Sequence, residues 1–145
     1  MASRDPEDLL PELANRWEQT KSAFTSKHPT LAQPFLTQTY RSPEEQNELY
    51  EQGRSKPGKV VTNAKGGQSL HNYQPALALD IAFKSADGEV HWDLDLFSKF
   101  AEIGKNFGLA WGGDWMKFKD YPHYQPPNYT WQMAQQGIAP TFPVV

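Results

Sequence analysis

The chain contains no cysteine. That excludes disulfides, a thiolate zinc site and a cysteine nucleophile, and it leaves the compartment open. Long apolar runs are also missing, so no segment approaches the length that spans a bilayer. Neither sign of charge dominates. The net charge is -3 and no block of Lys and Arg stands out, which argues against a nucleic-acid partner. The opening Met1-Ala2-Ser3-Arg4-Asp5-Pro6-Glu7-Asp8 has no apolar stretch, so an ordinary signal peptide is not expected. No internal repeat and no dividing linker interrupts the 145 residues, which read as a single domain over 1–145. A domain of that size can bury a core without covalent staples.

What is present is a run of helix and strand signals. Leu9, Leu10, Leu13, Trp17 and Phe24 fall close to helical spacing. They predict a helix over residues 6–26, opened by Asp5-Pro6 and closed before Pro29. Alternation over residues 35–40 predicts a short strand. Ser42-Pro43-Glu44-Glu45 combines a serine cap, proline at the first helical position and glutamate at the capping-box position. The helix it starts runs to Gln52, with Gly53 as its stop. Residues 54–68 are rich in Gly, Lys, Ser and Asn and predict a mobile loop.

Residues 77–83 are apolar apart from Asp80 and form the best buried strand in the chain. Ala86-Asp87-Gly88-Glu89 predicts a hairpin turn that returns through residues 90–92. Asp93 heads a third helix to about Phe107, with Leu96, Phe97, Phe100, Ile103 and Phe107 as its apolar stripe. Short strands at 109–111 and 122–125, a last helix at 129–136 and a surface tail after Gly137 complete the chain. Helices first, then strands mixed with helices, give an α+β class with a small, largely antiparallel sheet.

The chemistry-bearing residues come in two groups. Ser69-Leu70-His71 is followed by Asp80, and Asp120-Tyr121-Pro122-His123 lies further on. Two histidines and an aspartate can hold zinc and leave a fourth position open. A carboxylate inside an apolar strand is costly unless it is paired or bound to metal. From spacing alone a second reading stands level with the first, in which Asp80 pairs with an arginine and the histidines lie at the surface. His28 and His91 have no motif partners and read as surface residues. Lys56, Lys59 and Lys65 read as a solvated loop face, with approach to an anionic wall as the alternative.

Ser69-x-His71, Ala78-x-Asp80, Trp111-Gly112-Gly113-Asp114-Trp115 and Asp120-x-x-His123, in that order, resemble the M15 zinc peptidases. Tyr40-Arg41-Ser42 with Glu45-Gln46 also looks like the family pattern. That family includes D-Ala-D-Ala carboxypeptidases and dipeptidases of the VanY and VanX kind. It also includes the L-alanyl-D-glutamate endopeptidases of phage endolysins and bacterial cell-wall enzymes. The matching segments run from about residue 40 to 125. Eight residues separate His71 from Asp80, more than the family usually has, and Gln74-Pro75 read as a lengthening of that loop.

The resemblance implies a Hedgehog/DD-peptidase-like fold and one zinc ion ligated by His71, Asp80 and His123. It implies Asp120 as catalytic acid and base, with Asp114 as the competing candidate, read here as a turn residue. Arg41 is implied as the arginine that faces substrate or a developing oxyanion. Ser69 is implied to bind substrate or orient its loop, and Gln46, Tyr73, Trp111 and Trp115 to border the cleft, with core packing favoured for the tryptophans. The implied function is cleavage of the peptidoglycan stem peptide, first as an L-alanyl-D-glutamate endopeptidase. D-alanyl-D-alanine carboxypeptidase activity, or a non-catalytic zinc-bearing binding domain of the same fold, are the alternatives. A monomer made in the cytoplasm and reaching the wall by holin- or lysis-type release completes the expectation.

Overall fold

A computed structural model describes residues 2–145. Its elements are α1 (Pro11–Lys27), β1 (Gln33–Gln38), α2 (Pro43–Glu51), β2 (Leu79–Lys84), β3 (Val90–His91), α3 (Leu94–Asn106), β4 (Ala110–Trp111), β5 (His123–Gln125) and α4 (Trp131–Gln135). Short 3-10 turns occupy Pro6–Asp8, Leu70–Asn72 and Gly112–Asp114. The α+β class with an antiparallel sheet is what the sequence predicts.

The sheet runs β1-β2-β5-β4, with β3 also paired to β2, and every pairing is antiparallel. Side chains alternate across a strand, so β2 turns Leu79, Ile81 and Phe83 to one face and Asp80 to the other. The three apolar residues are fully buried. Against them pack α1 and α3, through tilted and edge-on ring contacts that link Trp17, Phe24, Phe83, Phe97, Phe100 and Tyr124. This aromatic layer is the main core.

Asp80 therefore stands on the face away from the helices. Its register partners are Gln38 on β1 and His123 on β5. A smaller cluster of Leu70, Leu77, Ala78 and Tyr129, packed by Trp131 and Met133, supports that second face.

The long first helix predicted from residue 6 is interrupted. Asp5 caps only the short turn Pro6–Asp8, and α1 begins at Pro11. A proline disfavours helical geometry in the residue before it, so Leu10 is kept out of the helix. The freed backbone is used elsewhere. Leu10 N donates to Ala76 O at 2.9 Å, and Ala76 N donates to Asp8 O at 2.8 Å. The loop between His71 and β2 is thus paired with residues 8–10.

Ser42 caps α2 as expected, accepting from Glu45 N, and Gly53 follows with a φ of +81° that suits glycine. Asp93 takes the N-cap position of α3, but its side chain makes no capping hydrogen bond. The tail after Gly137 is held at Arg16, which donates to the Phe107 and Pro143 carbonyls at 3.1 and 2.8 Å.

Between β4 and β5 the chain folds back tightly on Gly112. A Cβ there would lie 2.4 Å from the Asp120 carbonyl oxygen and 3.1 Å from His123 Cβ. Gly112→Ala is therefore expected to cost roughly 1–3 kcal/mol of stability through overpacking. Urea denaturation with an unchanged m-value checks it.

Candidate active site

The site is assembled from five segments on the open face of the sheet. His71 sits in the turn Leu70–Asn72, which Ser69 and Asn72 close by a reciprocal capping box. Leu77 N donates to Leu70 O at 3.0 Å, so the loop from His71 to β2 is clipped at its base. Arg41 N donates to the His71 carbonyl at 2.9 Å, and Asn72 Nδ2 donates to the Arg41 carbonyl at 2.9 Å. The segment before α2 and the His71 turn are thereby locked together.

The structure brings His71, Asp80 and His123 into one cluster, with candidate ligand atoms all within 4.8 Å of one another. His71 Nε2 lies 3.1 Å from Asp80 Oδ1, and His123 Nδ1 lies 3.4 Å from the same oxygen. Tetrahedral zinc with bonds of about 2.0–2.2 Å holds its ligand atoms roughly 3.3 Å apart.

The donor set also fits a cation. His71 Nδ1 lies 2.7 Å from the Thr39 carbonyl, which can only accept, so that nitrogen carries the hydrogen. The other nitrogen of a neutral ring then turns a lone pair toward a carboxylate oxygen. A proton or a metal ion has to lie between them. Both histidines are buried, and the Asp80 side chain is 13% exposed.

The electrostatics follow from this crowding. Burial alone would raise the Asp80 carboxyl. The charge of His71 and hydrogen bonds from His123 and His71 overcome it and hold Asp80 well below the ordinary carboxylate range. Burial would lower His123, but its hydrogen bond to Asp80 and the charges of Asp80 and Asp120 raise it. Asp120 is raised from its ordinary value, first by desolvation and then by the Asp80 charge, against the pull of His123, His71 and Arg41. Burial lowers Arg41 while Asp80, Asp120 and Glu45 oppose the shift, and a guanidinium stays charged regardless.

Around the cluster opens a cleft of about 870 Å³. Arg41, Gln46, Ser69, Trp115, Asp120 and Gln125 line it together with the cluster. The Asp120 carboxylate reaches 3.9 Å from His123 Nδ1 and is 45% exposed. Arg41 Nη1 donates to Gln46 Oε1 at 2.8 Å, Nη2 donates to Gln38, and the guanidinium stands 4.0 Å from Asp80. Asp80 thus faces the histidines and an arginine together, and because both histidines are buried the reading that leaves them at the surface fails. Ser69 accepts from His71 N at 3.2 Å, orienting that loop.

Other candidates lie elsewhere. Asp114 pairs with Lys105 at 2.8 Å, outside the cleft. Tyr73 is not among the cleft residues, because its hydroxyl is spent on the Gly67 carbonyl at 2.7 Å. Trp111 also leaves the cleft, donating to the Tyr121 carbonyl at 2.7 Å and packing on the core. Trp115 does face the site, with its ring 5.0 Å from that of His123. His28 packs on Phe24 and His91 contacts Ser85, both away from the cluster. Lys56, Lys59 and Lys65 are exposed. Sequence reading missed Thr39 and Gln125, whose oxygens sit 2.7 Å from the outer nitrogens of His71 and His123. Only their distance from the ligands in space marks them.

Residues 62–126 match a family model described as D-alanyl-D-alanine carboxypeptidase, in the M15 peptidases. The chain is 40% identical over 129 residues to the Bacillus subtilis peptidoglycan L-alanyl-D-glutamate endopeptidase CwlK, covering 83% of this chain and 74% of that protein. It is 36% identical over 83 residues to an L-alanyl-D-glutamate peptidase of a Listeria phage, covering 53% of this chain and 29% of that one.

Among solved structures, the Serratia marcescens L-Ala D-Glu endopeptidase ChiX superposes with a TM-score of 0.64 at 20% identity, over 96% of this chain and 93% of that one. The D,D-pentapeptidase VanY, solved with Zn(II), superposes with a TM-score of 0.59 at 18% identity, over 90% and 80%. The fold is shared with both. Among the described residues no helix is long and apolar enough to cross a membrane. With a cluster that suits zinc, a cleft above it and a close relative matched along most of its length, the chain belongs to the M15 family of zinc peptidases.

Proposed function

We propose that the protein hydrolyses the L-alanyl-D-glutamate bond of peptidoglycan stem peptides, with His71, Asp80 and His123 holding one zinc ion. The observation that carries this reading is the convergence of those three side chains beside Asp120 and Arg41 in one cleft. The likeness to CwlK over 83% of the chain supports the choice of bond. The carboxypeptidase description of the matching family model favours a second reading, release of terminal D-alanine. Asp120 and Arg41 together on the cleft favour catalysis over a binding domain that holds zinc without reacting.

Zinc held by the three residues supplies Lewis-acid chemistry, polarising a peptide carbonyl and making water nucleophilic at neutral pH. Asp120 takes the proton from the attacking water and passes it to the departing amine. Its half-open position above His123 and its raised affinity for protons suit both tasks. Arg41 is held rigid by Gln38 and Gln46, and it presents its charge to a substrate carboxylate or to the oxyanion that forms at the carbonyl. Ser69 keeps the His71 turn closed and offers a hydroxyl at the cleft wall. Action as a monomer on the cell wall after lysis-type release is part of the same proposal, and a phage relative is named for the same bond.

Asp120→Asn is expected to lower turnover about 100-fold or more while zinc content stays at one ion per chain. Metal analysis beside a peptidoglycan-solubilisation assay reads both. Mass spectrometry of digested peptidoglycan separates the two bonds. New N-terminal D-glutamate, lost on chelation, supports the endopeptidase, whereas released D-alanine moves the assignment to a carboxypeptidase.

A further inference from the structure

Strand β5 carries a second polar side chain two residues beyond His123. Gln125 therefore projects from the same face of the sheet as the histidine. Its Nε2 donates to the Tyr129 carbonyl at 2.9 Å, and its Oε1 lies 2.7 Å from His123 Nε2. A carbonyl oxygen can only accept, so the amide nitrogen must face Tyr129 and the amide oxygen must face the ring. That oxygen in turn can only accept, so His123 Nε2 carries the hydrogen. Nδ1 is then the nitrogen left to meet Asp80.

Tyr129 is itself fixed. It is buried with Leu70, Leu77 and Ala78, and its hydroxyl donates to the Ile138 carbonyl. The orientation of the amide is thus set by backbone that cannot readily swing away.

We propose that Gln125 is a positioning residue for the metal, fixing His123 in the tautomer whose Nδ1 faces the ion. Thr39 does the same for His71 through its backbone carbonyl, leaving Nε2 inward. The inference rests on the zinc site proposed above. Both outer partners are neutral oxygens, not carboxylates. Neutral partners add less basicity to the imidazoles than a carboxylate would, and so leave more Lewis acidity on the ion. Gln125 also borders the cleft, so contact with substrate is the competing role. A measurement made without substrate separates the two.

The test is zinc affinity by competition with a chromophoric chelator, for the wild-type protein and for Gln125→Leu, Gln125→Glu and His71→Ala. Gln125→Leu is expected to weaken zinc binding roughly 10–100-fold, and Gln125→Glu, which keeps an acceptor toward the ring but loses the donor to Tyr129, to recover part of the loss. Long-range 1H–15N spectra of the zinc-loaded wild-type protein are expected to show His123 protonated at Nε2 and coordinating through Nδ1. If Gln125→Leu does not fold, Gln125→Glu and the wild-type spectra decide. Wild-type affinity in Gln125→Leu, equal losses in the Leu and Glu variants, or coordination through Nε2 overturns the proposal. His71→Ala tells the two failures apart. If it loses zinc while Gln125→Leu does not, the site stands and the role of Gln125 falls. If His71→Ala binds zinc as the wild type does, the zinc site itself falls, and this inference with it.

Discussion

An ionised carboxylate in the central strand of a small sheet has to be compensated, and much of this fold is arranged around that requirement. Asp80 is flanked in register by Gln38 and His123, faced by His71, and approached by Arg41 at 4.0 Å. Desolvation works against its charge, and the surrounding donors outweigh it. Taking away one partner would leave part of a buried charge unanswered, which is why the cluster belongs together as a unit. The charge of the carboxylate in turn favours positive charge between it and the two imidazoles.

Stability and chemistry are laid on opposite faces of one sheet. Helices α1 and α3 bury the aromatic layer over Leu79, Ile81 and Phe83 and take no part in the cleft. The other face is built from short turns, each pinned by backbone hydrogen bonds: His71 to Arg41, Leu77 to Leu70, and Asp120 to Gly112. Positioning by backbone clips suits a site whose ligands come from separate segments, because each clip fixes a turn without filling the cleft. The loop between His71 and Asp80 is likewise held, at Ala76, by pairing with residues 8–10.

ChiX and VanY share this fold while their names give different bonds cleaved. A shared fold therefore does not fix which bond is cut, and the walls of the cleft are where such a difference would lie. In this protein those walls include residues 61–64, Trp115, Phe118, Trp131 and Gln132.

Much of the fold was legible in the chain alone, because its signals are local. Ser42-Pro43 before α2, the alternation through β2 and the apolar stripe of α3 depend only on neighbours in sequence and on the period of each element. The broken first helix was not legible, since Leu9 and Leu10 are helix formers by type. What removes them from the helix is Pro11 together with a pairing partner more than sixty residues away. The order of His71, Asp80, Asp120 and His123 pointed to the candidate cluster, and the chain could go no further than that order. Whether Asp80 met an arginine or the histidines, whether Tyr73 and Trp111 reached the cleft, and which nitrogen of each histidine turned inward were decided by tertiary structure. Those outcomes rest on carbonyl and amide groups such as those of Thr39, Gly67, Tyr121 and Gln125. A backbone carbonyl has no side-chain identity to read, so its influence exists only once the chain is folded.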